Sequence, residues 1–420
     1  MAFQGRTQKN SGRVGVEMSQ QLAINGGMPV RDEFLPYGSQ WLDEDDIQAV
    51  VDVLKSDWIT TGPKVDEFEQ KFAQYVGAKY AVALSSGTAA LHAAVFACGI
   101  GPGDEVITTP LTFAASANCV IYQGAKPVFA DVQPDTLNID PKEVEKKITG
   151  KTKAIIAVDY TGLPCDYDEI REFADKYGLL LIEDASHAIG AGYKGKRIGL
   201  INDLTTFSFH PVKHITTGEG GMITTDNSEF AEKLRIFRNH GIITGARERQ
   251  KKGVWFYKMV DLGYNYRITD FQCALGMSQL AKLDLFLARR REIAGKYSKA
   301  FANLPEITTP PVFEDRVSAW HLYVIQLNFD LPRESRSRIF AALRAENIGV
   351  NVHYIPVYWH PYYQKLGYKK GVCPNAEAAY ERLISLPIFP KMTDRDVHDV
   401  TKAVEKVVAN FQSTTAARGR

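Results

Sequence analysis

The stretch LLLIEDASHA at residues 179–188 decides the fold class, because an apolar β-rich run ends there in two carboxylates, Glu183 and Asp184. Four similar runs precede it in the chain: YAVALS, DEVITTP, KPVFADV and TKAIIAVDY. Helical patterns such as GTAALHAAVFACG and FAASANCVIYQG lie between runs of this kind. Strands that alternate with helices are typical of βαβ units and a mostly parallel sheet. The sequence therefore predicts an α/β fold.

The pattern changes on the C-terminal side of this sheet. The runs TTFSFHP and GGMITTD predict two strands that flank a loop, and the charged residues 245–256 predict an exposed loop. A long helical pattern then covers residues 268–301. After it, HLYVIQLNF and GVNVHYIPV predict strands, while SRSRIFAALRAEN and RDVHDVTKAVEKVVANF predict helices. Such a succession predicts a second, smaller α+β domain.

These patterns divide the chain into four parts. We predict a large α/β domain at residues 31–280 and a smaller C-terminal domain at residues 281–412. The polar segment 1–30 lacks the apolar core of a secretory signal and is expected to be a flexible extension. Residues 413–420 are expected to form a flexible tail.

Composition excludes several classes of protein. The 50 Lys and Arg residues balance the 49 Asp and Glu residues, which leaves no electrostatic footprint for nucleic acid. The five cysteines are scattered without a C-x-x-C pair, so neither a disulfide framework nor a metal site is expected. Free thiols suit the reducing cytoplasm. No stretch approaches the ~18 apolar residues of a membrane span.

The first motif with chemical meaning is SSGTAAL at residues 85–91. A predicted strand enters a turn of small residues, and a helix begins there. Helix N-termini bind phosphate because their backbone N–H groups are free and the helix dipole is positive at that end. Gly87 and Thr88 are the candidate phosphate ligands. The alternative is an ordinary N-cap turn built from Ser and Thr.

The second and third motifs supply a carboxylate and a lysine. Asp184 lies at the carboxyl end of a strand, where ligands of open α/β sheets gather, and it could pair with the cationic ring nitrogen of pyridoxal phosphate. An exposed loop carboxylate, or a metal ligand together with His187, are the alternatives. Lys213 lies in the neutral stretch TTFSFHPVKHITTGEGG, where shielding from water favours a Schiff base. Ser208 precedes it as a phosphate donor. The alternative for Lys213 is a surface lysine.

In order along the chain, these motifs meet the requirements of one cofactor, and they resemble the DegT/DnrJ/EryC1/StrS family of sugar aminotransferases. The resemblance extends from about residue 37 to residue 411 and includes SSGTAAL, TPLTFAASAN, PVFADV, IEDASHAIGA, FSFHPVKHITTGEGG, RNHGI and GYNYRITDFQCALG. It implies fold type I and pyridoxal 5′-phosphate as the cofactor. Some relatives carry histidine in place of the lysine and dehydrate the sugar; this chain keeps Lys213, which favours transamination.

The resemblance also implies roles for individual residues. Lys213 would be the Schiff-base lysine and Asp184 the partner of the pyridine nitrogen, with Phe113 stacked on the ring and His187 near the ring or its O3′. Gly87, Thr88 and Ser208 would hold the phosphate. Asn265 would reach the phosphate bound by a neighbouring subunit, which implies a homodimer with shared active sites.

FSFHPVKHITTGEGG and VHYIPVY are most similar to the branch of the family that aminates the C4 ketone of UDP-linked 4-keto-6-deoxy-N-acetyl hexoses for surface glycans of the pseudaminic-acid type. L-Glutamate would be the amino donor and 2-oxoglutarate the product. The residues expected at the nucleotide sugar are Tyr37, Asp57, Trp58, Ile59, Thr60, His353, Tyr354, Ile355 and Pro356. Alternatives are a dTDP- or GDP-linked sugar, amination at C3, a dehydratase, or a regulatory protein without catalysis. A Rossmann dehydrogenase is disfavoured because no G-x-G-x-x-G follows the first strand.

Overall fold

The computed structural model describes residues 21–328 and 334–418, and its strands confirm the α/β class. Within these residues the strands are β1 Tyr80–Leu84, β2 Glu105–Thr108, β3 Lys126–Phe129, β4 Thr152–Val158, β5 Leu180–Asp184, β6 Gly192–Tyr193, β7 Lys196–Arg197, β8 Leu204–Ser208, β9 Gly221–Thr225, β10 Ile307–Thr308, β11 Arg316–Val317, β12 Tyr323–Leu327 and β13 Leu383–Leu386.

Helices separate most of these strands, as the alternating sequence pattern predicts. They are α1 Glu44–Leu54, α2 Pro63–Val76, α3 Gly87–Ala97, α4 Ala115–Tyr122, α5 Pro141–Lys147, α6 Tyr167–Tyr177, α7 Ser228–Phe237, α8 Ala246–Lys252, α9 Asp270–Phe301, α10 Glu334–Ala345, α11 Pro361–Lys365, α12 Pro374–Tyr380 and α13 Asp394–Arg418. Short 3₁₀ turns lie at Ala23–Asn25, Tyr160–Gly162 and Val357–Trp359. No helix in the described ranges is both long and apolar enough to cross a membrane.

The large sheet has the strand order β1-β9-β8-β5-β4-β2-β3. The strands from β8 to β3 pair in parallel, whereas β9 runs antiparallel to both β1 and β8. Successive side chains alternate between the two faces: Leu181 belongs to one buried core and Ile182 to the core on the opposite face. The carboxyl ends of the parallel strands therefore meet at one edge of the sheet, which is where Asp184 lies.

A smaller sheet, β10-β12-β13, forms the C-terminal part of the fold. Helix α9 joins the two parts. Its residues up to Leu287 pack in the core of the large sheet, and its residues from Ile293 onward pack in the C-terminal core. One continuous helix thus crosses the predicted boundary at residues 280 and 281. The point at which it leaves the core of the large sheet and enters the C-terminal core lies about two helical turns later.

Part of the predicted N-terminal extension is attached to the C-terminal core. The N–H groups of Ala23 and Val30 each donate to the Glu346 carboxylate at 2.9 Å, and Leu22 is buried. Glu346 is itself fully buried, so these donors help to satisfy its charge. Residues 1–20 lie outside the described part of the chain. At the other end, helix α13 continues to Arg418 and enters the predicted tail.

Two local predictions were wrong. Residues 245–256, predicted as a loop, contain helix α8, because Ala, Arg, Glu, Gln and Lys all favour helix and Gly253 ends it in a left-handed conformation. The run GVNVHYIPV, predicted as a strand, pairs with its surroundings through isolated bridges from Ile348 to Leu35 and from Asn351 to Ser385. The chain then turns into a 3₁₀ helix after Pro356, which has no N–H group for a sheet.

Candidate active site

A cavity of about 750 Å³ lies at the carboxyl edge of the large sheet. Its volume falls in the range of small-molecule sites. The structure brings ten of the predicted site residues together around it: Tyr37, Gly87, Thr88, Phe113, Asp184, His187, Ser208, Lys213, His353 and Tyr354. These residues come from the start of the chain, the large sheet and the C-terminal part, so the cavity lies between the two parts of the fold.

One end of the cavity is formed by the N-terminus of α3. Ser86 caps this helix, and its hydroxyl accepts a hydrogen bond from the N–H of Ala89 at 3.0 Å. Gly87 is the first helical residue, and a Cβ added there would lie 2.8 Å from the Cβ of Ser208. Only glycine therefore allows β8 to approach the helix end so closely. The result is a set of backbone N–H groups and hydroxyls suited to an anion.

Asp184 ends β5 inside the cavity and is almost fully buried. One carboxylate oxygen accepts a hydrogen bond from the Ser116 hydroxyl at 2.7 Å, and the other accepts one from the N–H of Ser186 at 3.1 Å. These donors give both oxygens of the buried carboxyl group a hydrogen-bond partner. The sequence motif placed Asp184 correctly at a strand end, but gave no indication of Ser116 as its partner.

Lys213 lies in the turn between β8 and β9, and its own N–H donates to the carbonyl of His210 at 2.9 Å. Burial lowers the pKa of the Lys213 ammonium to about 8, although the nearby Asp184 carboxylate acts in the opposite direction. A larger fraction of this lysine than of an ordinary surface lysine is therefore the neutral, nucleophilic amine near neutral pH.

His187 follows Asp184 by one turn and is buried beside it. Its Nε2 lies 3.1 Å from the Tyr354 hydroxyl, whereas its Nδ1 has no hydrogen-bond partner within the described chain. Burial, with a contribution from Lys213, holds the pKa of His187 well below its usual value, so the ring is neutral. A buried nitrogen without a partner next to the cavity is what a site for a polar ligand provides.

Aromatic side chains form the open wall of the cavity. Phe113 is 62% exposed although it precedes the buried helix α4. Its ring centroid lies 6.3 Å from that of Tyr354, and the rings of Tyr37 and His353 are 5.5 Å apart. An exposed phenylalanine at a cavity rim is available to stack on a planar ligand.

Seven predicted site residues do not line this cavity: Asp57, Trp58, Ile59, Thr60, Asn265, Ile355 and Pro356. The segment 57–60 is tied to the start of α9, because Thr60 pairs with Thr269 and the carbonyl of Ile59 accepts from the N–H of Asp270 at 3.1 Å. Asn265 pairs with Asn239 on a different surface.

That surface is a concavity of about 960 Å³, hereafter the basic groove. Its charged lining is mostly cationic: Arg235, Arg238, Arg247, Arg249, Lys251 and Arg267, with Asp66 and Glu232 as the carboxylates. Beside the groove, the segment 254–264 exposes large apolar side chains, among them Trp255 at 86% and Leu262 at 68%. An exposed apolar surface of this kind is characteristic of a protein interface.

The structure also adds cavity residues that the sequence motifs missed. Besides Ser116, they include Thr112, Ser186, Glu219, His321 and Asn351. His321 comes from the C-terminal part of the chain, and its ring centroid lies 4.4 Å from that of His187. No cluster of His, Cys, Asp and Glu among the described residues could hold a metal ion. The residues that are present instead fit pyridoxal phosphate, with an anion site, a buried carboxylate, a lysine of lowered pKa and an exposed ring.

Comparisons with known proteins agree with this geometry. A model of the DegT/DnrJ/EryC1/StrS aminotransferase family matches residues 40–405. The spore coat polysaccharide biosynthesis protein SpsC of Bacillus subtilis is 49% identical over 381 residues, which cover 90% of this chain and 98% of SpsC.

Solved structures show the same relationship. The putative sugar aminotransferase Spr1654 of Streptococcus pneumoniae, in its PMP form, superimposes with a TM-score of 0.86 at 34% identity, over 90% of this chain and 99% of that one. PseC of Helicobacter pylori, an aminotransferase involved in the biosynthesis of pseudoaminic acid, gives a TM-score of 0.84 at 32% identity, over 90% and 100%. The chain therefore belongs to the DegT/DnrJ/EryC1/StrS family and is a pyridoxal-phosphate-dependent sugar aminotransferase.

Proposed function

We propose that this enzyme transfers the amino group of L-glutamate to the C4 ketone of a UDP-linked 4-keto-6-deoxy-N-acetyl hexose. The observation that carries the proposal is the presence of Lys213, with its lowered pKa, and the buried Asp184 in one cavity of about 750 Å³. Pyridoxal phosphate supplies, when bound, an electron-withdrawing ring that makes the carbon bearing the amino group acidic. The remaining chemistry belongs to side chains of the chain itself.

The proposed roles follow from position. Lys213 would hold the cofactor and, once released, its Nζ would move a proton to and from the substrate carbon. Asp184 would keep a proton on the ring nitrogen, since its buried carboxylate faces the cavity. Gly87, Thr88 and Ser208 would bind the phosphate at the N-terminus of α3. Phe113 and His187 would contact the ring. L-Glutamate would leave as 2-oxoglutarate before the keto sugar enters, as in a ping-pong scheme.

The substrate assignment is supported by the open wall of the cavity and by the relatives. Tyr37, His353 and Tyr354 line the cavity and offer aromatic surface and polar groups that a sugar could contact. PseC acts in the biosynthesis of a sugar acid, and SpsC in that of a surface polysaccharide. We propose the same chemical class here, an amino sugar destined for a surface glycan.

We further propose a homodimer with shared active sites. Within the described residues Lys213 is the one lysine or arginine that lines the cavity, so a protomer alone offers little to neutralise a nucleotide diphosphate. The basic groove and Asn265 lie next to the exposed apolar segment 254–264, which a second copy would cover. The cytoplasm is the proposed location, because all five cysteines are unpaired.

A spectroscopic titration tests the proposal. The protein is loaded with pyridoxal phosphate, and L-glutamate is expected to shift its visible band, as that of a lysine-bound cofactor, toward the near ultraviolet. UDP-, dTDP- and GDP-linked 4-keto and 3-keto sugars are then added separately, and the UDP-linked 4-keto N-acetyl sugar is expected to restore the band fastest. Faster restoration by another sugar would redirect the substrate assignment. Release of water from the sugar, without amine formation, would indicate a dehydratase. Absence of any response to amino donors would favour a regulatory protein.

A further inference from the structure

Arg290, on helix α9, is a buried arginine without a carboxylate partner. Its exposed fraction is 1%, and no acidic group within residues 21–328 and 334–418 forms an ion pair with it. Burial lowers the pKa of the Arg290 guanidinium to about 9, with no opposing contribution from a carboxylate. Burying an unpaired charge is costly, so such a residue needs a structural or functional reason.

The contacts of Arg290 show which part of the molecule it holds. Its Nη1 donates to the backbone carbonyls of Trp320 at 3.1 Å, His321 at 3.2 Å and Ile388 at 2.9 Å. Trp320 has a φ of 50°, a left-handed conformation that is rare for a bulky residue. Arg290 thus holds the carbonyl of the strained Trp320 and that of the next residue, His321.

This segment leads directly to the reaction centre. The ring of His321 lines the cavity and lies 4.4 Å, centroid to centroid, from the ring of His187. On its other side lies His214, at 5.5 Å, whose Nε2 contacts the carbonyl of Ala319 at 2.9 Å. Burial holds the pKa of His321 and of His214 well below the usual value, and the charge of Arg290 acts in the same direction on both. The three imidazoles are therefore neutral and adjacent, with tilted rings, and two of them, His187 and His321, line the cavity.

We propose that Arg290 is a positioning residue for the transamination: by holding the carbonyls of Trp320 and His321, it fixes the His321 ring against His187, and so fixes His187 beside the cofactor. The inference rests on the proposed role of His187. It assigns Arg290 no contact with substrate or cofactor. It predicts that losing Arg290 disturbs the same step as losing the His321 ring.

A double-mutant cycle tests the proposal on the full-length, cofactor-loaded protein. The variants are Arg290→Met, His321→Ala and their combination. The measurements are the rate constant of the single-turnover reaction with L-glutamate, the apparent affinity for L-glutamate, and the visible circular dichroism of the bound cofactor. We expect each single variant to slow the reaction by about 10²-fold, the cost of a small misplacement, with little change in affinity. The combination should be no slower than either single variant.

Two further variants separate positioning from simple stability. Arg290→Lys keeps the cation and part of the hydrogen bonding, so it should recover much of the rate and serves if Arg290→Met does not fold. Arg289→Met is the matched control, because Arg289 is on the same helix and also donates to a carbonyl, that of Met392 at 2.7 Å, but lies away from the cavity. It should leave the rate unchanged.

The outcomes that would overturn the inference are distinct. If Arg290→Met keeps the wild-type rate and circular dichroism, or if its effect multiplies with that of His321→Ala, Arg290 does not act through His321. The circular dichroism of the bound cofactor is recorded without an amino donor, so it tests the inference independently of the proposed donor. A wild-type protein that binds the cofactor but does not react with L-glutamate would contradict the proposed donor. Unequal changes in the dichroism of the two single variants would overturn the inference itself.

Discussion

The cavity and the basic groove are of similar size, about 750 and 960 Å³, yet they handle charge in opposite ways. In the cavity, the single lysine is half-buried and desolvation lowers its pKa to about 8. In the groove, six cationic side chains line a surface next to exposed aromatic rings. The cavity weakens one charge to make a nucleophile, whereas the groove accumulates charges that could attract an anion.

The difference suggests that the cavity and the basic groove have different functions. Bond making needs a dry, preorganised site with few charges, because burial shifts the pKa of each group that reacts. Holding a diphosphate needs several cations, which are stable when they remain close to water. In a single protomer the site for bond making and the cluster of cations lie apart, and the proposed dimer would bring the cations of one protomer to the cavity of the other. The predictions below test each of these two functions.

The largest effect is expected at Lys213. Lys213→Ala removes the amine that would hold the cofactor and move the proton, so turnover with L-glutamate and the keto sugar should fall by at least ~10³-fold. Lys213→Arg keeps the positive charge, but its guanidinium cannot act as the nucleophile. It should therefore be as inactive as Lys213→Ala. Turnover is measured by coupled detection of 2-oxoglutarate. Wild-type-like activity in either variant would remove the cavity from the mechanism.

A smaller loss of reaction rate is expected when the Asp184 carboxylate near Lys213 is removed. Asp184→Asn leaves the ring nitrogen without an anionic partner, so the glutamate reaction should slow by roughly 10²-fold. Since the Asp184 carboxylate raises the pKa of Lys213, the variant should also lower that pKa below about 8 in the cofactor-free protein.

The pH dependence of Lys213 modification by an amine-selective reagent, followed by peptide mass spectrometry, measures this pKa. Asp226→Asn is the control, because Asp226 is an exposed carboxylate that pairs with Lys79 at 3.9 Å. A Lys213 pKa that stays constant in Asp184→Asn, or rises, would show that the two groups do not interact in solution.

The proposed contribution of the groove side of one subunit to its partner's cavity is tested by mixing subunits of two variants. A variant without the Asn265 and Arg267 side chains should lose about tenfold in turnover, since each would bind an anion in the partner's cavity. Mixed in equal amounts with Lys213→Ala under conditions that exchange subunits, it should recover about a quarter of wild-type activity, because half of the dimers then contain one intact site. Activity at the mean of the two separate variants would mean that each protomer works alone.

Motifs that act locally could be predicted from the sequence. Asp184 follows directly from an apolar strand, and Gly87 from a strand that enters a helix, so local pattern is enough to place both at the sheet edge. Comparison with the family then confirmed the fold class, the cofactor and the enzyme class. The predicted roles of individual residues, including Asn265 and the segment 57–60, remain predictions.

Other features could not be predicted because they depend on distant segments. Ser116 reaches Asp184 across 68 residues of chain, and Arg290 reaches His321 across 31. No spacing or periodicity encodes such contacts; they result from the strand order. Helix α8 was not predicted for a different reason. Its residues lack an apolar period, so the amphipathic pattern that identifies helices is absent, although the intrinsic helix propensity of the residues is high.

The smallest predicted effect concerns the face of β5 opposite the cavity, where Glu183 points away from Asp184 toward Asp159. The Asp159 carboxylate accepts hydrogen bonds from the Tyr167 hydroxyl at 2.6 Å and the Cys165 N–H at 3.0 Å, and the Glu183 carboxylate accepts one from Thr205 at 2.7 Å. One oxygen of each carboxyl has no partner in the described chain. Burial raises the pKa of both groups, and the Glu183 charge raises that of Asp159 further. The pair is thus expected to share one proton.

A raised carboxyl pKa means that the folded chain keeps a proton that the unfolded chain releases. The stability from this proton is fully present below the unfolded pKa of about 4.3 and declines as the pH rises toward the folded value. Glu183→Gln supplies a donor that does not titrate, so it should raise Tm by about 2 °C at alkaline pH and flatten the decline. Glu105→Gln is a control of opposite sign, because hydrogen bonding to Thr149 lowers the pKa of Glu105 and its contribution is lost toward acid pH. Thermal unfolding between acid and alkaline pH measures both, and a Tm loss in Glu183→Gln at alkaline pH would show that the Glu183 carboxylate stabilises the fold and that the pair's pKa is not raised.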